Sequence, residues 1–485
     1  MGPRVTDVSD AHRGSSWAQW RVCVAGLGVA GYAAADALQQ LGAPVRVIDS
    51  STTAEVEAKA EVLTTLGVDV RLGVASEGGT ELDGCDLLVV SPGLPPDHPW
   101  IRAAQRRAIP IWGELELAWR LRDPATAAPW LCVTGTNGKT TTTLMLDSML
   151  RAAGLTSVTA GNIGTSLIDV VMHDRLDVIA VEVGAPQLPF VTSMSPLAAV
   201  CINLAQDHLD HFGGFDQYRV AKARVYQHTQ VAAVYNVDDP VTRAMVEDAD
   251  VVEGCRAIGI TLGTPGVGML GIVDDLIVDR AFIDDRGERA QELASVADVH
   301  PVAPHNVTNA LAAAALARAF GVRPGAVRDG LRAFVPAGHR ISNVGTVAEV
   351  TFIDDSKATN THAALASVTA YPSVVWIAGG LAKGQDFDDL IQRIGSRLRA
   401  VVLLGRDREV IAAAMRRHAP EVPVVEVDRT DTGAMEDVVD RALEYACPGD
   451  TVLLAPGCAS WDMFRDYAER GDLFAQAVRA RKAAG

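Results

Sequence analysis

Seven cysteines are scattered along the 485 residues without one C-x-x-C pair. That removes a disulfide framework and a structural zinc site from consideration, and it places the expected compartment in the reducing cytoplasm. Long apolar runs are missing too, since none reaches membrane-spanning length. The polar opening, residues 1–17, lacks the apolar core of a signal peptide and reads as a loose leader. Positive charge is scarce: 43 Lys plus Arg stand against 60 Asp plus Glu, a formal net charge of −17. Such a balance argues against nucleic acid as a partner. If the substrates are anions, local lysines, helix N-termini or bound metal must attract them.

What is present is an ordinary globular composition, 48% hydrophobic and 21% charged, in a chain long enough for about two to four domains. Short apolar strands alternate with turns and amphipathic helices, the pattern of parallel α/β layers. Three blocks are expected: 1–112 and 338–485, both Rossmann-like, flanking a central P-loop-type parallel sheet domain at 113–337.

The first block carries "VCVAGLGVAG", a strand over Val22–Ala25 running into Gly26-x-Gly28-x-x-Gly31 and a helix. Asp49, 18 residues past Gly31, stands where a ribose-binding acid would. Glycines of this kind let a diphosphate approach a helix N-terminus. The motif does not separate NAD from another diphosphate, nor either from a plain βα turn.

The second block opens on "LCVTGTNGKTTTT", residues 131–143. Only Gly135 and Gly138 precede Lys139, so the loop is two residues tighter than the G-x-x-x-x-G-K-[ST] pattern. With Thr140 and Thr141 following, it reads as a phosphate and Mg²⁺ site with its own cation. The shorter loop implies that other segments complete the site. Asn162, Glu182, Asn203 and Asn236 each stand at the end of an apolar segment, as the glycine loop does. Ligands of parallel sheets gather beyond strand carboxyl ends, so one crowded site is expected. Glu182 and His208 would suit Mg²⁺, although the Asp/His density of 207–211 also fits zinc or iron. Lys222, between Tyr218 and Tyr226, reads by default as a surface or snorkelling lysine.

In the third block, Asp355 and Lys357 follow the strand "EVTFI", and "APGCASWDMF" offers Ser460 near a helix start. Both can grip a charged ligand, a carboxylate above all; the alternative is an N-cap beside a surface lysine. Cys458 has no His-centred dyad nearby in sequence and is a poor nucleophile candidate.

"TGTNGKTTT", "GNIG", "DHLDH", "YRVAKARVY", "HNVTNALAAAALA", "GHR" and "DDSKATN" occur in this order. With them the chain, from about residue 20 to its end, resembles the Mur ligase family. These are ATP-dependent amino-acid-adding enzymes of peptidoglycan precursor synthesis, related to folylpolyglutamate synthetase. "DSKATN", "PGCASWDMF" and the first block are most similar to the D-glutamate-adding branch, and the D-N-P-R signature of the diaminopimelate adder is absent.

The resemblance implies an ATP-dependent ligase acting on UDP-N-acetylmuramoyl-L-alanine and D-glutamate through an acyl phosphate, as a cytoplasmic monomer with two Mg²⁺ sites. It implies ATP contacts from Gly135, Thr136, Asn137, Gly138, Lys139, Thr140, Thr141, Asn306 and Asn309, with Arg340 and Asp355 joining on domain closure. Thr140, Glu182, His208 and a carbamylated Lys222 are the implied metal ligands. Gly28, Ala30, Asp49, Ser50, Gly93, Asn162 and His208 are implied for the UDP substrate. D-glutamate falls to Lys357, Thr359, Lys383, Ser460, Trp461 and Tyr467.

Three departures stand out. "EVGAPQL", residues 182–188, replaces the family's usual Glu-Leu-Ser-Ser-Phe-Gln-Leu, which predicts altered muramoyl-substrate binding with the metal site kept. Ala30 stands where a threonine is frequent, and Trp461 where an aliphatic residue is usual. The rival readings are a folate glutamylator, an NAD-dependent oxidoreductase built on 22–49, and a non-catalytic nucleotide-binding regulator.

Overall fold

The computed structural model describes residues 7–484 apart from 76–78, 124, 174, 208 and 337. The chain divides into two compact units, one reaching Phe334 and the other starting at Val335.

The first unit holds two sheets. Strands β1 (Val22–Ala25), β2 (Val45–Ile48), β3 (Asp69–Arg71), β4 (Leu87–Val90) and β5 (Ile111–Gly113) form an all-parallel sheet in the order β3-β2-β1-β4-β5. β1 and β4 are buried at every position, as strands covered by helices on both faces must be.

The second sheet contains β6 (Trp130–Thr134), β7 (Ser157–Gly161), β8 (Val178–Glu182), β9 (Ala198–Cys201), β10 (Ala232–Asn236), β11 (Arg256–Ile260), β12 (Met269–Val273), β13 (Leu276–Asp279) and β14 (Gln291–Ser295). Their order is β14-β13-β12-β11-β10-β9-β6-β8-β7. From β7 to β12 all pairings are parallel. Helix Lys139–Ala152 packs with Pro304–Phe320 and Pro324–Ala333. Small residues make that packing close: a Cβ on Gly330 would meet Met149 Cα at 2.4 Å.

In the second unit β15 (Ser342–Val347), β16 (Val350–Asp354), β17 (Val374–Gly379), β18 (Leu398–Leu404), β19 (Val424–Glu426) and β20 (Thr451–Leu454) lie in the order β15-β16-β20-β17-β18-β19. All of these pairs are parallel except β15 with β16.

The α/β class expected from sequence is found, with two differences. Antiparallel edges are appended: β12, β13 and β14 pair antiparallel, and so do β15 and β16. Tight turns join β12 to β13 and β15 to β16, with Asp274 at φ 55° in the first and Ala348 and Glu349 at φ 49° and 63° in the second. Positive φ at both central residues suits a two-residue hairpin, but Ala-Glu carries no glycine or asparagine to announce it. The second difference is the leader. Of the described part of 1–17, Val8, Ala11 and Trp17 are buried. Trp17 meets Trp20 and Trp112 edge-on at 5.8 and 6.5 Å, and Arg13 donates to the carbonyls of Val171 and Met172. A few apolar anchors suffice to dock a segment whose overall composition is polar.

Candidate active site

The carboxyl ends of β6 to β10 lie level. Val133 is in register with Glu182, Gly161 with Glu182, Thr134 with Cys201, and Cys201 with Tyr235. The polar residues that follow or end these strands therefore converge on one edge. Between β6 and helix Lys139–Ala152 runs the glycine loop, with Gly135 at φ 155° and Gly138 at φ 83°. A Cβ on Gly138 would lie 2.3 Å from Asn309 Oδ1, so only glycine lets the loop sit against the helix Pro304–Phe320. Asn309 donates to Asn306 Oδ1 at 3.2 Å, and Asn306 donates to the Pro301 carbonyl at 3.1 Å.

The loop is fastened from below. Asn203 accepts from Asn137 N–H at 2.9 Å and donates to the Asn137 carbonyl at 3.1 Å. The Thr136 hydroxyl lies 3.1 Å from Tyr218 Oη and accepts from Ala205 N–H at 2.9 Å. Lys139 Nζ donates to the carbonyls of Gly135 and Thr136, both at 2.9 Å. Thr140 is half-buried and Thr141 buried in the first helical turn.

Lys222 departs from its surface expectation. It is 1% exposed, with Nζ donating to Gly135 O at 2.8 Å and to Thr134 Oγ1 at 3.2 Å. Helix Phe215–Ala223 turns this lysine inward beneath the loop. Burial first, then the charge of Lys139, pulls its amine down to about 7. Much of it is therefore the neutral, nucleophilic amine near neutral pH.

Glu182 ends β8 and is 1% exposed. Oε1 accepts from Asn162 Nδ2 at 2.8 Å, while Oε2 has no hydrogen-bond partner among the described residues. An unpartnered buried carboxylate oxygen beside a phosphate loop fits a divalent cation. Among the described residues no group of three or more His, Cys, Asp or Glu converges. That still suits Mg²⁺, which takes one or two carboxylates and fills its remaining positions with water and phosphate oxygens. Of the 207–211 segment, His208 and the side chains of Leu209 and Asp210 lie outside the described residues.

The altered segment after Glu182 is anchored in depth. Gly184 N–H donates to Gln187 Oε1 at 2.7 Å, and Gln187 Nε2 donates to Glu114 Oε2 at 3.0 Å. Glu114, its carboxyl pushed up by burial, also accepts from the Ser166 hydroxyl at 3.2 Å. Sequence reading passed over Glu114, which resembles any acid at a helix start.

At the first sheet the glycine turn is sterically required. A Cβ on Gly31 would stand 1.8 Å from Gly26 O. Asp49 Oδ2 accepts from Leu27 N–H at 2.6 Å and Oδ1 from Ser51 N–H at 2.7 Å, so this acid shapes the turn. Gly28, Ser50 and Gly93 are exposed and Ala30 is half-buried.

The second unit gathers another group. Asp355 is buried and accepts from the Ser367 hydroxyl. Burial pushes its carboxyl up to about 6, against the Ser367 hydrogen bond and the Arg340 charge. Lys357 Nζ lies 3.7 Å over the Tyr467 ring, and Lys383 Nζ lies 4.2 Å over Trp461, which is 65% exposed. Thr359 is half-buried and its N–H donates to Lys357 O at 2.8 Å. Arg470, 1% exposed, ties the segments together: it donates to Ser356 Oγ and O at 2.9 and 2.8 Å and to Cys458 O at 3.2 Å. In sequence this arginine looks like any helix-surface cation. Ser460 is buried, and the Cys458 thiol is pushed up to about 12 by burial, which removes it as a nucleophile.

Comparison with known proteins agrees with this geometry. Family models described as "Mur ligase MurD-like, N-terminal domain", "Mur ligase middle domain" and "Mur ligase, glutamate ligase domain" match residues 20–113, 133–317 and 339–458. The UDP-N-acetylmuramoylalanine–D-glutamate ligase of Streptomyces avermitilis is 56% identical over 96% of this chain and 99% of its own. That of Thermobifida fusca is 52% identical over 95% and 98%. Among solved structures, MurF of Acinetobacter baumannii shares the fold with a TM-score of 0.57 at 18% identity, covering 89% of this chain and 90% of that one. From these matches and the fold that carries them, the chain belongs to the Mur ligase family.

Proposed function

We propose that the chain is an ATP-dependent ligase that joins D-glutamate to UDP-N-acetylmuramoyl-L-alanine in peptidoglycan precursor synthesis. The observation that carries the reading is the phosphate loop with two lysines drawn onto its carbonyls and the unpartnered oxygen of Glu182 at the neighbouring strand end. Near-full-length relatives bearing that activity support the substrates. The NAD-dependent reading leaves this second nucleotide loop without a use.

A carboxylate is a poor electrophile, so the terminal carboxylate of the UDP-sugar first takes the γ-phosphoryl of ATP, with ADP leaving. The D-glutamate amine then attacks the acyl carbon, and phosphate departs as the amide forms. Transfer between anions calls for positioning and charge neutralisation. Lys139 supplies a cation beside the loop, and the N–H groups at the start of helix Lys139–Ala152 favour phosphate. Asn306 and Asn309 are assigned to the adenine.

Thr140 and Glu182 would hold Mg²⁺, whose chemistry is to offset phosphate charge. The neutral amine of Lys222 is suited to add CO₂, releasing a proton and leaving a carbamate oxygen ligand for a second ion alongside His208. Gly28, Ala30, Asp49, Ser50, Gly93 and Asn162 are assigned to the UDP-sugar, within a domain at 1–112 that precedes the ATP domain at 113–337. Arg340 and Asp355 of the 338–485 domain are assigned to the nucleotide. Lys357 and Lys383, with Thr359, Ser460, Trp461 and Tyr467, are assigned to D-glutamate. No helix among the described residues is long and apolar enough to cross a membrane, and action as a cytoplasmic monomer belongs to the same reading.

Phosphate release from ATP tests it. Release is expected with the UDP-sugar-alanine plus D-glutamate, and not when L-glutamate or a folate replaces the proper substrate. Equal release with a folate, or a requirement for NAD, would overturn the proposal.

A further inference from the structure

The protein treats the two carboxylate oxygens of Glu182 differently. Oε1 is fixed by Asn162 Nδ2 at 2.8 Å, whereas Oε2 is buried without a donor among the described residues. Asn162 is itself fixed to the strand end, its N–H donating to Glu182 O at 2.9 Å. The preceding Gly161, at φ 102°, makes this approach possible, because a Cβ there would meet Glu182 O at 2.4 Å.

Position 184 sets the other limit. Its φ of −77° and ψ of 146° are extended backbone open to any residue, so torsion does not call for glycine. Space does. A Cβ at 184 would lie 2.8 Å from Asn162 Oδ1 and 3.2 Å from both its Cγ and Gln187 Oε1. The backbone cannot easily retreat, since the Gly184 N–H is held by Gln187, and Gln187 by buried Glu114. Any side chain at 184 therefore pushes on the Asn162 amide.

Resting on the ligase reading above, we infer that Asn162 is a positioning residue for Glu182. Through the space left by Gly184 its amide fixes Oε1 and leaves Oε2 free as a ligand for the divalent cation that accompanies ATP. Residue 184 thereby sets metal affinity without touching metal. Groups that orient a metal ligand typically contribute about 10–100-fold in affinity.

The test uses the full chain with Mn²⁺ as the probe and a saturating non-hydrolysable ATP analogue, reading free Mn²⁺ by its paramagnetic resonance signal. Asn162→Ala and Gly184→Ala are each expected to weaken Mn²⁺ binding about tenfold. Because both act through one contact, the double variant should be no weaker than Asn162→Ala alone. Both variants should lower the unfolding midpoint measured without metal or nucleotide, because a buried hydrogen bond is lost or strained. Mn²⁺ binding is therefore read at a temperature where each variant is fully folded by circular dichroism, a readout that a purely structural role would leave unmoved. If Gly184→Ala does not fold, Asn162→Ala still decides the matter. Unchanged Mn²⁺ affinity in both single variants, or losses that add in the double variant, would overturn the inference. The ligase reading fails separately, through absent phosphate release by the parent protein.

Discussion

Lys222 Nζ and the carbonyl oxygen of Gly135 are 2.8 Å apart, beneath the phosphate loop and out of solvent. This contact joins a helix begun at Phe215 to the tip of β6. A lysine so placed is pulled down to about 7, chiefly by burial. Lys222→Ala is expected to lower ligase turnover by about 10²-fold or more, the scale of losing one preorganised group in a site that handles developing charge. Bicarbonate should raise the activity of CO₂-depleted parent protein above pH 7 and leave the variant unchanged. Parent activity indifferent to bicarbonate would remove the carbamate from the proposal.

Lys139 is held by two loop carbonyls and stands ready to turn toward an anion. Lys139→Ala should reduce phosphate release by about 10²–10³-fold while leaving binding of the UDP-sugar, followed by calorimetry, within about twofold. Full-speed coupling by this variant would end the ligase mechanism drawn here.

Gly31 is predicted to tolerate no side chain. The added Cβ of Gly31→Ala would fall 1.8 Å from the backbone oxygen of Gly26, and no side-chain rotation can relieve that. The start of helix Val29–Gln40 would have to lift from β1, at a cost of about 3 kcal/mol or more. Thermal unfolding should shift down by several degrees, with UDP-sugar binding weakened. An unshifted midpoint would mean that the turn is softer than its geometry indicates.

Asp355 predicts a pH dependence of stability. Its folded carboxyl sits at about 6, above the ordinary 3.8, because burial disfavours the charge. A raised pKa means stability that is fully present below about 4 and is lost as pH climbs through 6. The shift corresponds to about 3 kcal/mol, with the opposing Arg340 charge and Ser367 hydrogen bond already included in it. Asp355→Asn, which can still accept from Ser367, should match the parent at pH 4 and gain on it at pH 7 to 8. A stability difference that stays constant over that range would contradict the assignment.

Much of this was legible in the chain because local chemistry carries it. The glycines at 135 and 138, with Lys139 after an apolar strand, announce a phosphate loop, and the apolar segments ending in Asn162, Glu182 and Asn203 announce a common sheet edge. Lys222 was not legible as buried, since a lysine between tyrosines on a helix looks the same whether the helix faces water or a loop. Glu114 and Arg470 gave no local signal either, because their partners, Gln187 and Ser356, are 73 and 114 residues away in the chain. The polar leader misled for a related reason: Trp17 docks on Trp112, a contact that composition does not record.

By itself the sequence determined the alternation of strand, turn and helix and the places where backbone must bend or open, because torsional preference, apolar periodicity and the lack of a Cβ act within a few residues. Only the tertiary structure decided which polar groups are buried, which are partnered and which carboxylate oxygen is left over. Those outcomes depend on desolvation and on contacts between segments far apart in the chain. Glu182 shows the division: its place at a strand end is written in the chain, but the freedom of its Oε2 exists only because Asn162 and Gly184 meet beside it.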